Sequence, residues 1–163
     1  MSVLAELDYY EMHSEINGID LKYYAIFFFY ITEWAYSRKL LSDELEHDNS
    51  FINELKRVRN QETDCFDFLS TQLDFKLCSS FFKDEIVAEF VPLYMSIDYD
   101  PDLRRHMWSY GNEFMFQRHL ITNTYKPKES KALMEDIDNA FKTFIEINYP
   151  DKLKDYFPIK YKR

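Results

Sequence analysis

The chain has 163 residues and a mass of 19.9 kDa, one domain's worth and enough to bury a core. Its 29 acidic and 20 basic residues leave a net charge of −9 and a pI near 4.9, which suits a soluble chain that nucleic acid and anionic membranes repel. Two glycines, Gly18 and Gly111, set against 15 Phe and 13 Tyr, exclude a P-loop and a dinucleotide fingerprint and argue against a glycine-turned β-barrel.

In chain order, residues 1–16 read as a helix stopped by Gly18 behind Asn17. Asp20 then caps a long helix over about 20–40, where Leu21, Tyr24, Ala25, Phe28, Thr32 and Ala35 make one buried stripe. Phe27, Phe29, Ile31 and Trp34 widen that stripe, so the helix is expected to be central and packed on several sides. The nine-residue apolar run Tyr23–Ile31 inside it is too short to span a bilayer. Ser42, followed by Asp43 and Glu44, suits the cap of a short helix. Ser50 is expected to cap the next, about 50–59, with Phe51, Ile52, Leu55 and Val58 inward and Arg57 and Arg59 near its negative end. Thr63 should cap a helix carrying Phe66, Phe68 and Leu69. Ser79 or Ser80 should cap one running from Phe81 to Val91, which Pro92 bends or shortens.

Asp98, Asp100, Pro101 and Asp102 form an acidic turn, with Pro101 placed to start a helix. Residues 106–121 admit two readings. Met107, Gly111, Phe114 and Met115 share a helical face, whereas Gly111-Asn112 between Trp108/Tyr110 and Phe114/Phe116 suits a β-hairpin. The helical reading is the one adopted. Tyr125–Glu129 reads as a loop, and Ser130 as the cap of an amphipathic helix with Leu133, Ile137, Ala140, Phe141, Phe144 and Ile147 inward. Tyr149-Pro150 ends it, and a short helix over about 151–156 follows. The sum is an all-α fold: one compact bundle of about seven helices over 1–163. Capped helices seldom need positive φ, which would account for the scarcity of glycine.

The charge is unevenly spread. Residues 1–100 carry 20 acidic and 8 basic residues, a net of −12, while residues 101–163 carry 9 and 12, a net of +3. Carboxylates gather at Asp43, Glu44, Glu46 and Asp48, at Glu62, Asp64 and Asp67, and at Asp98, Asp100 and Asp102. A solvated face is the plain explanation. The functional one is a surface that docks a basic protein, the acids steering the encounter and buried aromatics supplying affinity. The basic end (Lys152, Lys154, Lys160, Lys162, Arg163) is interrupted by Asp151 and Asp155 and reads as a solvated tail rather than a nucleic-acid arm.

Catalytic and metal patterns are thin. Glu44-x-x-His47 has the spacing that di-iron bundles use, but the second copy and the two further Glu that such a site needs are missing. Glu11, His13 and Glu15 alternate in a way that points them apart on a helix. Cys65 and Cys78 form no CxxC motif and read as reduced, buried thiols. His106 and His119 would serve as the base and acid of a small hydrolase, with only Arg104, Arg105 and Arg118 to hold a phosphate. No catalytic residue, metal or cofactor is therefore expected. The N-terminus lacks a basic region followed by an apolar stretch, so a cytoplasmic protein is expected. The sequence does not fix its oligomeric state, and a monomer is favoured.

One stretch resembles a known family. The string Trp-Ala-Tyr-Ser-Arg-Lys-Leu-Leu-Ser-Asp-Glu-Leu at Trp34–Leu45 is similar to the Trp-x-x-x-x-x-Leu-(Leu/Val)-Ser-Glu-Glu segment of a small bacterial family associated with polymorphic-toxin immunity. The resemblance continues through Val58–Thr63, Phe66–Leu69, Leu73–Leu77 and Ser79–Tyr94, covering residues 25–95. It departs where the family's His-(Ile/Val)-Gly before the Trp is replaced by Phe27-Phe28-Phe29, and where its Cys-Asp-Gly before Lys-Leu becomes Leu73-Asp74-Phe75. The aligned blocks are caps and core positions, and residues 100–163 lie outside them. The resemblance implies an immunity protein of a contact-dependent growth-inhibition or related secreted-toxin system. Such a protein would bind the toxic C-terminal domain of a secreted effector and occlude it. A basic nuclease, such as one acting on tRNA, is the target class that an acidic inhibitor would complement. Two other readings remain: an acidic mimic of nucleic acid bound to a DNA-binding protein, and the hydrolase built on His106 and His119.

Overall fold

The computed structural model describes residues 2–95 and 126–158. They form a mostly helical, compact structure: β1 (Val3–Glu6), α1 (Glu11–Asn17), α2 (Ala25–Ser37), α3 (Asp43–Glu46), α4 (Asn49–Arg59), α5 (Cys65–Leu73), β2 (Lys76–Cys78), α6 (Glu85–Met95), α7 (Pro127–Asn148) and α8 (Leu153–Tyr156). Short 3₁₀ turns at Leu7–Tyr10, Leu21–Tyr24, Ser79–Phe81 and Pro150–Lys152 join several of these. The acidic turn at 98–102 and the helix-or-hairpin stretch at 106–121 lie outside the described residues.

Helix α2 is the axis. Every residue from Ala25 to Ala35 is buried, so the expected stripe has become a helix covered on all sides. Its aromatic side chains start three chains of ring contacts. Tyr10 lies edge-on to Phe28 at 5.7 Å, Phe29 meets Phe68 at 5.4 Å, and Trp34 meets Phe141 at 5.2 Å and Phe90 at 5.5 Å. Tilted and edge-to-face pairs of this kind add about 0.5–1.5 kcal/mol each beyond the area they bury. The buried Thr32 hydroxyl donates to the Phe28 carbonyl at 2.7 Å, so it enters the core with its hydrogen bond made.

The first sixteen residues are not one helix. Val3–Glu6 form a strand antiparallel to β2, with Val3 opposite Cys78, Ala5 opposite Leu77 and Glu6 opposite Lys76. Residues 3–6 have no strong local preference. A partner some seventy positions away supplies the ladder, and tertiary context overrides propensity. The Leu7 N–H donates to the Phe75 carbonyl at 3.0 Å, and the Tyr10 hydroxyl donates to the Met95 carbonyl at 2.6 Å.

Four expected caps are displaced. Asp48, not Ser50, caps α4, accepting the Phe51 N–H at 3.2 Å. Asp64, not Thr63, caps α5, accepting the Asp67 N–H at 2.8 Å. Asp84 accepts the Val87 N–H at 3.0 Å at the head of α6, while Ser79 and Ser80 belong to a 3₁₀ turn before it. Helix α7 starts one turn early, at Pro127, so Ser130 is a buried interior residue and caps nothing. Pro at a first helical position is favourable, because its missing N–H would have had no partner there. Ser42 caps α3 as expected, whereas Asp20 caps the 3₁₀ turn Leu21–Tyr24 and α2 itself begins only at Ala25. Pro92 lies inside α6, which continues to Met95.

Positive φ is also commoner than the glycine count suggests. Besides Gly18, the residues Lys39, Gln61, Asp74 and Phe75 are left-handed. Lys39 and Gln61 close α2 and α4 by the paired bonds of a Schellman end. Leu40 N–H reaches the Ala35 carbonyl (2.7 Å) and Lys39 N–H that of Tyr36 (3.2 Å); Glu62 and Gln61 repeat the pattern on Arg57 and Val58.

Candidate functional site

The acidic clusters fall at the two ends of α4, whose 11 residues separate them by about 16 Å along the axis. At one end Asp43 and Glu44 are exposed in the first turn of α3, where the helix dipole favours negative charge. Glu46 is turned partly inward. Its Oε1 is buried with no hydrogen-bond partner among the described residues. Burial pushes its carboxyl above the usual range, while nearby His47 and Lys39 and the Leu41 backbone pull the other way. Asp48 is exposed but occupied as the α4 cap. At the other end Glu62 and Asp67 are exposed, while Asp64 is half-buried and caps α5. Asp98, Asp100 and Asp102 lie outside the described residues, as do His106 and His119. The described members of the expected docking set thus divide into Asp43, Glu44, Glu62 and Asp67, which are exposed, Asp48 and Asp64, which cap helices, and Glu46, which is partly buried.

A polar joint that no sequence motif announces links α2, α4 and α7. Glu33, 2% exposed, accepts from Arg59 Nε at 2.5 Å and from the Ser130 hydroxyl at 3.2 Å. The Arg59 guanidinium also lies over the Tyr36 ring, 5.6 Å from its centroid. At the next residue of α2, Trp34 Nε1 donates to Asp138 at 3.1 Å, and Arg38 Nε, at the end of the helix, lies 2.9 Å from the same oxygen without aiming its N–H at it. Arg38 donates from its guanidinium to the Tyr156 carbonyl at 2.7 Å and covers Phe157 at 4.4 Å. Glu33, Trp34, Arg38, Ser130 and Asp138 help line an open groove of about 400 Å³ between α2 and α7. Glu33 and Asp138 are each held by an arginine, so the groove's chemistry is that of a joint between helices. A sequence signal existed: Glu33 is the single charged residue between Lys22 and Arg38.

Among the described residues, no group of three or more His, Cys, Asp or Glu is arranged to hold a metal ion. The His47 Nδ1 sits 2.8 Å from the Asp43 carbonyl, engaged at its own helix end. Cys65 and Cys78 are free, buried thiols, and burial pushes both to higher pKa. No described helix is long and apolar enough to cross a membrane. No protein-family model, curated protein or solved structure matches the chain.

Proposed function

We propose that the chain is a cytoplasmic immunity protein, which binds the toxic domain of a cognate secreted effector one-to-one and occludes a surface that domain needs. Three things support this reading: the resemblance over residues 25–95, the net charge of −12 in the first hundred residues, and carboxylates left pointing at solvent. The observation that carries it is the last. Asp43, Glu44, Glu62 and Asp67 are exposed side chains that make no helix cap, and together they offer a basic partner a long-range attractive field. A basic nuclease, such as a tRNase, is the target class. Few toxin molecules are needed to kill, so binding is nanomolar or tighter, about −12 kcal/mol. The chain acts by occupancy and turns nothing over. The test is co-expression with the product of the adjacent gene. Rescue of growth and a one-to-one complex on size exclusion are the expected results; a product that stays lethal and unbound sinks the proposal.

A further inference from the structure

Residues 7–16 carry three interleaved stripes, each stepping by three and then four residues and so lying on one face of the turn and helix. Leu7, Tyr10 and Ser14 are buried. Asp8, Glu11 and Glu15 are exposed. Tyr9, Met12 and Ile16 are exposed too, at 57%, 71% and 76%. The first stripe anchors α1 to the fold, and the third is an apolar face left open beside an acidic one. Isolated exposed apolar residues are ordinary on any surface, but three in register on one helix face are not. Four of the six large apolar side chains exposed among the described residues, Val3 with these three, fall within residues 3–16.

Charge indicates what covers this face. Residues 2–21 contain five carboxylates and neither Lys nor Arg. A second copy would bring those carboxylates against each other in a two-fold interface, and anionic lipid would be repelled. Residues 96–125 carry four carboxylates and three arginines and are net negative; the cationic residues 159–163 are the alternative within this chain, and the unbound-thiol measurement below distinguishes them from a separate protein. A protein surface with apolar side chains ringed by Lys and Arg does complement it. Next to the stripe, Asp8 walls a groove of about 430 Å³ with Glu6, Leu7, Leu21, Phe66 and Phe75. Asp74 and Lys76, 3.4 Å apart, complete the lining and offset each other's charge, which leaves Glu6 and Asp8 as its net negative groups. Its apolar floor and carboxylate rim suit a cation on a long hydrocarbon stem. Phe75 stands 38% exposed at φ +61°, a conformation a bulky side chain rarely adopts, and its ring packs 5.5 Å from Phe66.

We infer that the face of Tyr9, Met12 and Ile16, with the carboxylates beside it, is the docking surface for a basic protein, and that the Phe75 groove takes one Lys or Arg side chain of that protein. The inference rests on the neutralising reading above and assigns its contact surface to α1; the acids around α4 steer the approach.

Because Cys65 and Cys78 are buried, Met12→Cys places a single accessible thiol on the face. In the chain alone a maleimide should modify it at the rate of a free thiol. An excess of the basic polypeptide encoded beside the gene should slow that at least ten-fold. With the same polypeptide, the double variant Met12→Ser/Ile16→Ser should raise the dissociation rate at least ten-fold. Its association rate and thermal midpoint should stay unchanged, since both side chains already face water. A thiol protected in the chain alone, or protected only as the chain is concentrated, means that residues of this chain or a second copy cover the face, and overturns the inference. Binding that leaves the thiol reactive and the double variant as tight as the parent also overturns it, with the neutralising reading intact. If the polypeptide fails to bind the parent chain at all, that underlying reading falls and takes the inference with it.

Discussion

Glu33 and Arg59 are unequal partners, and the inequality is measurable. Glu33 is fixed in the most buried helix, whereas the Arg59 side chain is 30% exposed and can turn to water. Arg59→Leu leaves the Glu33 carboxylate in the core without this counter-charge and should cost about 3 kcal/mol, the usual penalty for breaking a buried pair. Glu33→Gln keeps a hydrogen-bond acceptor for Ser130 and releases Arg59 to solvent, so it should cost clearly less; urea unfolding of both variants checks the order. Glu46 makes the opposite case. Its carboxyl is raised above the ordinary value of 4.5 by burial, so the folded state holds its proton more tightly than the unfolded state. Its ionisation therefore opposes folding as pH rises through and beyond that value, and has no effect well below it. Glu46→Gln should stabilise the chain at pH 7, and the gain should vanish as pH falls below 4.5. Denaturation midpoints across that range check the sign.

At the scale of the element, helix ends are where local reading and structure part. Each displaced cap moves by one or a few residues to a neighbouring aspartate or proline. Ser, Thr and Asp compete for the same bond, and the chain's path into the helix picks the winner. Asp64→Ala should lower stability by about 1 kcal/mol, while Thr63→Ala should stay within about 0.5 kcal/mol; comparing the two by thermal unfolding tests the assignment. The C-terminal ends carry a correctable strain. Lys39 is exposed, closes α2 at φ +59°, and makes its hydrogen bonds at the helix end through the backbone, while its ammonium acts electrostatically on Glu46. Lys39→Gly keeps those bonds and removes a left-handed penalty of about 1 kcal/mol, less what glycine loses in chain entropy. A small rise in the urea midpoint is expected; a fall would mean that the Lys39 side chain contributes more than the strain costs.

Across the whole molecule, docking of a basic protein as proposed would assign steering and contact to separate surfaces. Neutralising Asp43, Glu44, Glu62 and Asp67 together should slow association with a basic partner about ten-fold at low salt and leave dissociation nearly unchanged. In about 0.5 M salt, where screening is strong, parent and variant should converge, and stopped-flow mixing at two ionic strengths shows whether they do. A dissociation rate that rises instead would move those carboxylates into the contact itself.

The all-α class, the centrality of Ala25–Ser37, the Gly18 stop, the Ser42 cap and the burial of both cysteines were legible in the chain itself, because each depends on periodicity or on a residue's nearest neighbours. So was the acidity of the first hundred residues. Tertiary structure decided the rest. It paired Val3–Glu6 with a distant strand, moved Ser130 from a helix end into the core, and joined Glu33 to Arg59 across 26 positions. It also sorted the carboxylates into those that cap, those held by arginine and those left to solvent. The physical reason is the same in each case. Local preferences differ by about 1 kcal/mol or less. Burying a charge or leaving a backbone N–H without a partner costs several times that, and whether either happens depends on residues far away in the sequence.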